Sequence, residues 1–306
     1  IAALHRVQDQ LSRRILLAQA LALVFSTQVA KQGLGPHLDA LGRNPDYRPT
    51  IRVYLTEGKG ADILAVKVPD DPLPARHLSN LSTITQSLGL APRVELHDLI
   101  RTMHTPGRAV TLPVVAPRSL PNGNTTLTVT GIGLFSRDTL VGVLRPPASS
   151  GYMWLAAHIG NRIMPVSGHG LATAVDLLVV SSGSRLQARW EGARVRSLEA
   201  RVHADVRIMA VHGPELRPDK QHLDQVKAVA EDHICREVEQ AIRRAQALQS
   251  DPFGFGERVH ARMSRVDWQK LNWERAFRRM PVRVTATVRI RSGGMMLRPL
   301  QSRIRP

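Results

Sequence analysis

The strongest alternation of hydrophobic and polar residues in the chain lies between Leu198 and Ala210. Every second residue there is apolar and most of the residues between are charged, which predicts a strand with one dry and one wet face. From Leu223 to Leu248, apolar residues recur at helical spacing and predict a long amphipathic helix. The alternation returns from Val282 to Ile290, so a further strand is predicted to close this part of the chain.

Between the long helix and the closing strand lies the segment 251–256, with the sequence Asp-Pro-Phe-Gly-Phe-Gly. We expect Asp251 and Pro252 to end the helix, because proline cannot continue it. Gly254 and Gly256 permit tight or positive-φ geometry. A short helical stretch with two tryptophans follows. The aromatic residues that we expect to hold this junction against the core are Phe253, Phe255, Trp268 and Trp273.

Two more strands are predicted upstream, at residues 174–180 and 186–190, around a tight turn at 181–184 that is rich in serine and glycine. The predicted order of elements is therefore strand-strand-strand-helix-helix-strand. This order favours an α+β fold with an antiparallel sheet that the long helix covers on one face.

The first half of the chain mixes helical and strand patterns. Residues 1–20 have the spacing of an amphipathic helix, and residues 127–144 read as a hairpin. Connections at 117–124 and 160–170 are typical of domain boundaries. We therefore predict an N-terminal α/β domain (1–116), a small middle domain with the hairpin (117–165) and a C-terminal α+β domain (166–306). Because the chain begins inside a helical pattern and without methionine, we expect the first domain to be truncated at its start.

The composition indicates a folded, basic protein. Of 306 residues 43% are hydrophobic, and 42 Lys+Arg against 25 Asp+Glu give a formal net charge of +17. Such an excess favours nucleic acid, anionic lipid headgroups or an acidic protein surface as partners, and charge alone does not choose among them. The single cysteine, Cys235, excludes a disulfide framework within the chain and is interpreted as a buried structural thiol. No apolar run reaches the ~20 residues of a transmembrane helix.

The sequence offers no constellation that is typical of an enzyme. None of the twelve histidines forms a His-x3-His pair, and His222 and His233 would lie ~16 Å apart on the predicted helix, too far for one metal ion. Ser167 lacks the Gly-x-Ser-x-Gly frame of a nucleophile elbow, so a hydrolase built around Ser167 or His169 has no support. We expect no catalytic, cofactor or metal site and predict that the protein is not an enzyme.

The closing strand suggests a different kind of site. Arg283, Arg289 and Arg291 are spaced to share one strand face, which makes them a candidate basic interaction face. A basic nucleic-acid-binding protein is therefore the alternative reading. Only 4% of the residues are aromatic, however, and single-strand binding usually needs stacking platforms. An arginine-decorated solvent face remains the simpler interpretation.

The junction and the strand after it also carry a family resemblance. The segment 251–256, then Trp268, the run 273–277 (Trp-Glu-Arg-Ala-Phe) and the strand that ends near Gly293 resemble the C subunit of bacterial spore germinant receptors, the Ger(x)C lipoprotein family. Weaker likenesses occur upstream in the family's order. They lie at 33–34 with Leu38, Asp39 and Arg43, and at 60–64, 112–113, 133–135 with 140–142, and 152–155.

The resemblance implies a non-enzymatic subunit that works with a membrane-embedded A subunit and a transporter-like B subunit. Family members carry a signal peptide and a lipidated cysteine, which hold them on the outer face of the spore's inner membrane. We therefore expect a lipid anchor and contact with the anionic membrane surface in the full-length parent; Cys235 is not the anchoring cysteine. The family-motif residues, which we expect to be structural, are Asp39, Arg43, Asp251, Gly254, Gly256, Trp268 and Trp273.

Overall fold

The computed structural model describes residues 6–12, 15–43, 47–168, 171–212 and 220–291. The chain separates into two units, each assembled from separated stretches. The first unit comprises Ile1–Thr85, Ala91–Arg145 and Ala245–Arg278, and the second comprises Gln86–Leu90, Pro146–Arg244 and Arg279–Pro306. The division into independently folding domains at 1–116, 117–165 and 166–306 stays a prediction.

The described elements follow one another in this order. The first half contains β1 (Ala22–Ser26), α1 (Thr27–Gln32), α2 (Gly35–Gly42), β2 (Arg52–Thr56), α3 (Gly60–Leu64), α4 (Pro74–Ser87), α5 (Leu96–Met103), β3 (Thr111–Ser119), β4 (Thr125–Ser136) and β5 (Thr139–Leu144). The second half contains α6 (Ala148–Ala156), β6 (Arg162–Gly168), β7 (Leu171–Glu191), β8 (Arg194–His212), α7 (Lys220–Ala247), α8 (Phe255–His260), α9 (Arg265–Lys270), α10 (Trp273–Arg279) and β9 (Val282–Ile290).

The first unit is built on a five-stranded mixed sheet of order β1-β2-β3-β4-β5. β1, β2 and β3 pair in parallel, whereas β4 and β5 form the predicted antiparallel hairpin. Both faces of the central strands are covered: Val53 and Leu55 belong to one buried cluster, and Tyr54 belongs to another. The Tyr54 hydroxyl satisfies its polar end by donating to the Leu78 carbonyl at 2.6 Å.

The second unit contains a four-stranded sheet of order β6-β7-β8-β9. The even-numbered residues of β8 from Leu198 to Val206 are buried, and the odd-numbered residues face outward, as the alternation predicted. The long helix α7 supplies the opposing apolar stripe, which is Val226, Ala230, Ile234, Val238 and Ala241. Glu231 of α7 accepts a hydrogen bond from the Val288 amide of β9, so helix and sheet are tied together. The predicted α+β class is confirmed.

The direction of the last strand differs from the prediction. β9 pairs with β8 in parallel, from Leu198 opposite Val282 to Val206 opposite Ile290. The chain between the two strands includes α7 and returns to the starting end of β8, and such a crossover is the connection that parallel strands require. The sheet is therefore mixed, and not wholly antiparallel.

The turn predicted at 181–184 is also wrong. β7 continues through these residues, because β8 pairs with it from His212 to Arg194 and compensates for a weak local strand preference. Gly183 has a packing reason to lie there: the His203 ring occupies the space in which a Cβ at residue 183 would stand.

Only part of the amphipathic helix predicted over residues 1–20 is present where the structure describes the chain. Residues 6–8 are helical, with Val7 half exposed. Residues 15–20 contain only a 3₁₀ turn, Leu17–Gln19, and Leu16 is exposed. Residues 1–5 and 13–14 lie outside the described residues. The periodic spacing in this stretch therefore does not correspond to a buried helical face.

Candidate functional site

The end of α7 is formed by a left-handed residue and not by the Asp-Pro pair. Gln249 has a φ of 53°. The Ser250 amide donates to the Ala245 carbonyl at 3.0 Å, and the Gln249 amide donates to the Gln246 carbonyl at 3.1 Å. These two bonds form a Schellman motif, which satisfies the last helical carbonyls. The helix therefore stops before Asp251, which is free for another role.

Asp251 is the centre of a buried hydrogen-bond cluster. One carboxylate oxygen accepts from the amides of Phe253 (3.2 Å) and Gly254 (3.1 Å). The other oxygen accepts from the Gly256 amide (2.7 Å) and the Trp273 indole nitrogen (3.0 Å). Burial raises the pKa of the Asp251 carboxyl to about 6, against the lowering effect of the Gly256 amide and the Trp273 indole. We call Asp251, Gly254, Gly256 and Trp273 the aspartate junction.

Both glycines of the aspartate junction are required by geometry. Gly254 has a φ of +80°, a conformation that other residues rarely adopt. A Cβ at Gly256 would collide with the indole of Trp273 and with the carbonyl of Gly107. Any side chain at either position would therefore displace the amides that Asp251 binds.

The aromatic residues divide into buried anchors and one partly exposed ring. Phe253, Phe255 and Trp273 are buried as expected. Trp268 is only partly buried; it stacks on Trp273 with ring centroids 6.2 Å apart and an interplanar angle of 27°. Both rings border a cleft of about 630 Å³ within the first unit. Trp268 also meets the His260 ring edge-on, with ring centroids 4.8 Å apart, so its predicted anchoring role rests on contacts with Trp273 and His260.

Asp39 and Arg43, the other two predicted motif residues, do not join the aspartate junction. Asp39 lies on α2 and Arg43 directly follows it; the two form an ion pair of 2.9 Å, and their side chains are 61% and 80% exposed. Exposed pairs of this kind contribute ~0.5 kcal/mol or less to stability. The structure therefore gives them a surface position and no part in a shared site.

The three arginines predicted as a basic face lie on the uncovered side of the second sheet. Arg289 donates to both carboxylate oxygens of Asp205, at 2.7 and 3.0 Å, and Arg291 donates to one of them at 2.6 Å. These guanidinium groups hold the pKa of Asp205 well below its usual range. Arg283 lies in register with Glu199, on the same side of the sheet.

Sequence reasoning missed a buried charged cluster in the second unit. The indole of Trp154 donates to Glu237 at 2.7 Å, and Arg162 donates to both Glu237 oxygens at 2.7 and 3.0 Å. Arg162 also lies over the Trp154 ring, 5.2 Å from its centroid. Burial raises the pKa of Glu237, but His233, Arg162 and Trp154 outweigh it and hold the pKa below the ordinary value. The sequence does contain one signal for this cluster, because Glu237 lies among the apolar residues of the buried stripe of α7.

One group of side chains among the described residues has the proximity of metal ligands: Glu95, His97 and Asp98. Glu95 is already paired with Arg52 and with Arg93, so positive charge is supplied by the protein itself. We assign no metal to this group. His169, together with Arg298, Arg303 and Arg305 beyond β9, lies outside the described residues.

None of the helices in the described part of the chain is long and apolar enough to cross a membrane. A family model described as the spore germination protein N-terminal domain matches residues 1–117, and one described as spore germination B3/GerAC like, C-terminal, matches residues 130–294. The chain is therefore a spore germination protein. The chain belongs to the GerAC-like family, the C subunits of germinant receptors.

Individual relatives agree with this assignment. The chain is 24% identical to the putative spore germination protein YfkR of Bacillus subtilis over 300 residues, which is 97% of this chain and 77% of YfkR. It is 21% identical to the spore germination protein GerQC of Bacillus cereus over 299 residues, covering 95% of this chain and 79% of GerQC. The crystal structure of the GerBC protein has a similar fold, with a TM-score of 0.59, 14% identity, and coverage of 88% of this chain and 78% of GerBC.

Proposed function

We propose that this protein is a non-enzymatic subunit of a spore germinant receptor and acts by binding the membrane-embedded A and B subunits. In its full-length form it is held by a lipid anchor on the outer face of the spore inner membrane. The observation that carries the proposal is the family match, which extends over residues 1–117 and 130–294. A nucleic-acid-binding role gains no support from these relatives.

The side-chain chemistry supports an interaction role. The carboxylate of Asp251 accepts from four protein donors, and Glu237 accepts from Trp154 and Arg162. A general base needs a carboxylate oxygen that can reach a substrate proton. These two buried carboxylates therefore serve as structural acceptors, and we propose that the aspartate junction and Trp268 position the end of α7 within its unit.

Deletion of the gene for the full-length protein is expected to slow or abolish germination in response to the nutrient that its receptor senses, because the remaining subunits lack a component of the assembly. The germination rate of mutant spores is measured with and without a restored wild-type copy. Germination of the same mutant spores through other receptors serves as the control for spore quality. A deletion strain that responds normally to every nutrient that triggers the parent strain would contradict the proposal.

A further inference from the structure

The face of the second sheet opposite α7, which no described element covers, carries more arginines than carboxylates. We define the basic sheet face as the outward residues of β7, β8 and β9 together with Arg291, which follows β9. Its arginines are Arg185, Arg189, Arg194, Arg201, Arg207, Arg283, Arg289 and Arg291. The carboxylates of the same face are Asp176, Glu191, Glu199 and Asp205. Arginine therefore outnumbers carboxylate by two to one among these residues.

Part of this charge is arranged in fixed networks. Glu199 accepts from Arg189 at 2.8 Å and from Arg201 at 3.1 Å, and Asp205 is held in the same way by Arg289 and Arg291. Each carboxylate therefore fixes two guanidinium groups on the sheet surface. A guanidinium so placed retains outward N–H donors, which suit the oxygens of a phosphate group.

The other arginines of the basic sheet face are not held by a carboxylate of the described chain. Arg185 lies directly opposite Arg201 on the neighbouring strand, and like charges in this position destabilise a sheet. Within the described parts of the chain, Arg185, Arg207 and Arg283 form no ion pair. An anionic partner would relieve the repulsion between Arg185 and Arg201 and would supply a counter-charge to Arg207 and Arg283.

Exposed aliphatic side chains adjoin the arginines at one end of the face. Ile163, Leu178 and Arg207 lie in one cross-strand row, and Ile163 is 60% exposed. Met209 and Val180 are also exposed at bulges in β8 and β7. Protein interfaces usually have an apolar, often aromatic core and a charged rim. Here the charges occupy the centre and aliphatic residues lie at one end, which is the reverse arrangement.

We propose that the basic sheet face docks on the headgroups of an anionic phospholipid bilayer, with its arginines on lipid phosphates and its aliphatic end against the acyl boundary. A broad basic surface with adjoining aliphatic groups is suited to an anionic bilayer surface. Aromatic side chains, on which single-stranded nucleic acid would stack, are lacking among the outward residues of the described strands of this face. The inference rests on the proposed location at a membrane and adds which surface meets the lipid.

The test is co-sedimentation of the purified protein with vesicles of phosphatidylcholine alone or of phosphatidylcholine mixed with phosphatidylglycerol. We expect binding only to the mixed vesicles, weakened by added salt. The triple variant Arg185→Gln, Arg207→Gln, Arg283→Gln removes charges that have no ion pair in the described chain, so the fold is retained. Its affinity for mixed vesicles is expected to fall on the order of 100-fold, equivalent to ~1 kcal/mol for each basic side chain near the surface.

The matched control makes the same charge change elsewhere, in the exposed arginines of the first unit: Arg118→Gln, Arg265→Gln, Arg278→Gln. The change in the logarithm of the affinity of this control for mixed vesicles is expected to be less than about a tenth of the change in the first triple variant. Equal losses in both variants, equal binding to both vesicle types, or binding to soluble polyglutamate as tight as to mixed vesicles would each overturn the inference. If the receptor subunits co-purify with the protein but the protein does not bind vesicles, the membrane-docking inference fails and the proposed function stands. If the protein binds mixed vesicles as expected but the subunits do not co-purify, the proposed function fails and the lipid-binding surface stands.

Discussion

Replacement of Asp251 by asparagine is expected to lower the free energy of unfolding by about 3 kcal/mol. Asparagine keeps one acceptor oxygen and places an NH2 group where the second oxygen accepts from two N–H groups. Two buried donors then lose their acceptor, and each such loss costs about 1–3 kcal/mol. Urea unfolding, monitored by tryptophan fluorescence, measures the change, because the Trp273 indole is itself one of the donors.

The control for this substitution is Asp39→Asn. Asp39 is largely exposed and has one ion pair on the surface of α2, so its replacement is expected to cost about 0.5 kcal/mol or less. If Asp251→Asn lowers the free energy of unfolding by no more than this control does, the carboxylate does not hold the aspartate junction together.

Replacement of Glu237 by glutamine is expected to destabilise the protein by about 3 kcal/mol as well. Glutamine keeps the side-chain volume but leaves the Arg162 guanidinium, which is 13% exposed, without a compensating charge. Removal of one partner from a buried ion pair typically costs 3–5 kcal/mol. Thermal unfolding of the variant provides the measurement. Glu239→Gln, on the exposed side of the same helix and paired with Arg243, is the matched control with an expected cost of about 0.5 kcal/mol.

Two further results distinguish a lost charge pair from a simple packing defect. Addition of Arg162→Met to Glu237→Gln is expected to recover part of the lost stability, because no unpaired charge then remains buried. The stability difference between wild type and Glu237→Gln is also expected to narrow as the pH falls below about 4. The pKa of Glu237 is lower in the folded than in the unfolded state, so its contribution is present above the unfolded pKa and is lost on acidification. A difference that does not change with pH would exclude an ionic contribution.

Much of the second sheet was accessible from the sequence because its strands have one buried face. The burial of Leu198, Val202 and Val206 and the outward position of Arg283 and Arg289 follow directly from two-residue alternation. Alternation does not encode which strand is the neighbour or in which direction it runs. The parallel pairing of β9 was therefore not predictable from this pattern.

In the candidate sites, too, local sequence patterns did not predict contacts between residues that are far apart in the chain. The aspartate junction spans 22 residues between Asp251 and Trp273. The sequence predicted the anchoring aromatics and a structural place for Asp251, but not that its carboxylate accepts from the Trp273 indole. Glu237 meets partners that lie 83 and 75 residues away, Trp154 and Arg162. No local pattern records such long-range pairs. The continuity of β7 through Gly183 was missed for a related reason, since pairing with β8 outweighed local turn preference.

Co-purification with the A and B subunits shows directly whether this protein is a component of the receptor. The full-length protein, affinity-tagged and extracted with mild detergent from spore membranes, is expected to retain both the A and the B subunit through purification. The destabilised variant Asp251→Asn is expected to recover less of both, whereas Asp39→Asn should recover the wild-type amount. If the folded wild-type protein is purified from these membranes while both subunits remain in the unbound fraction, the protein does not act as a receptor subunit and the account is contradicted.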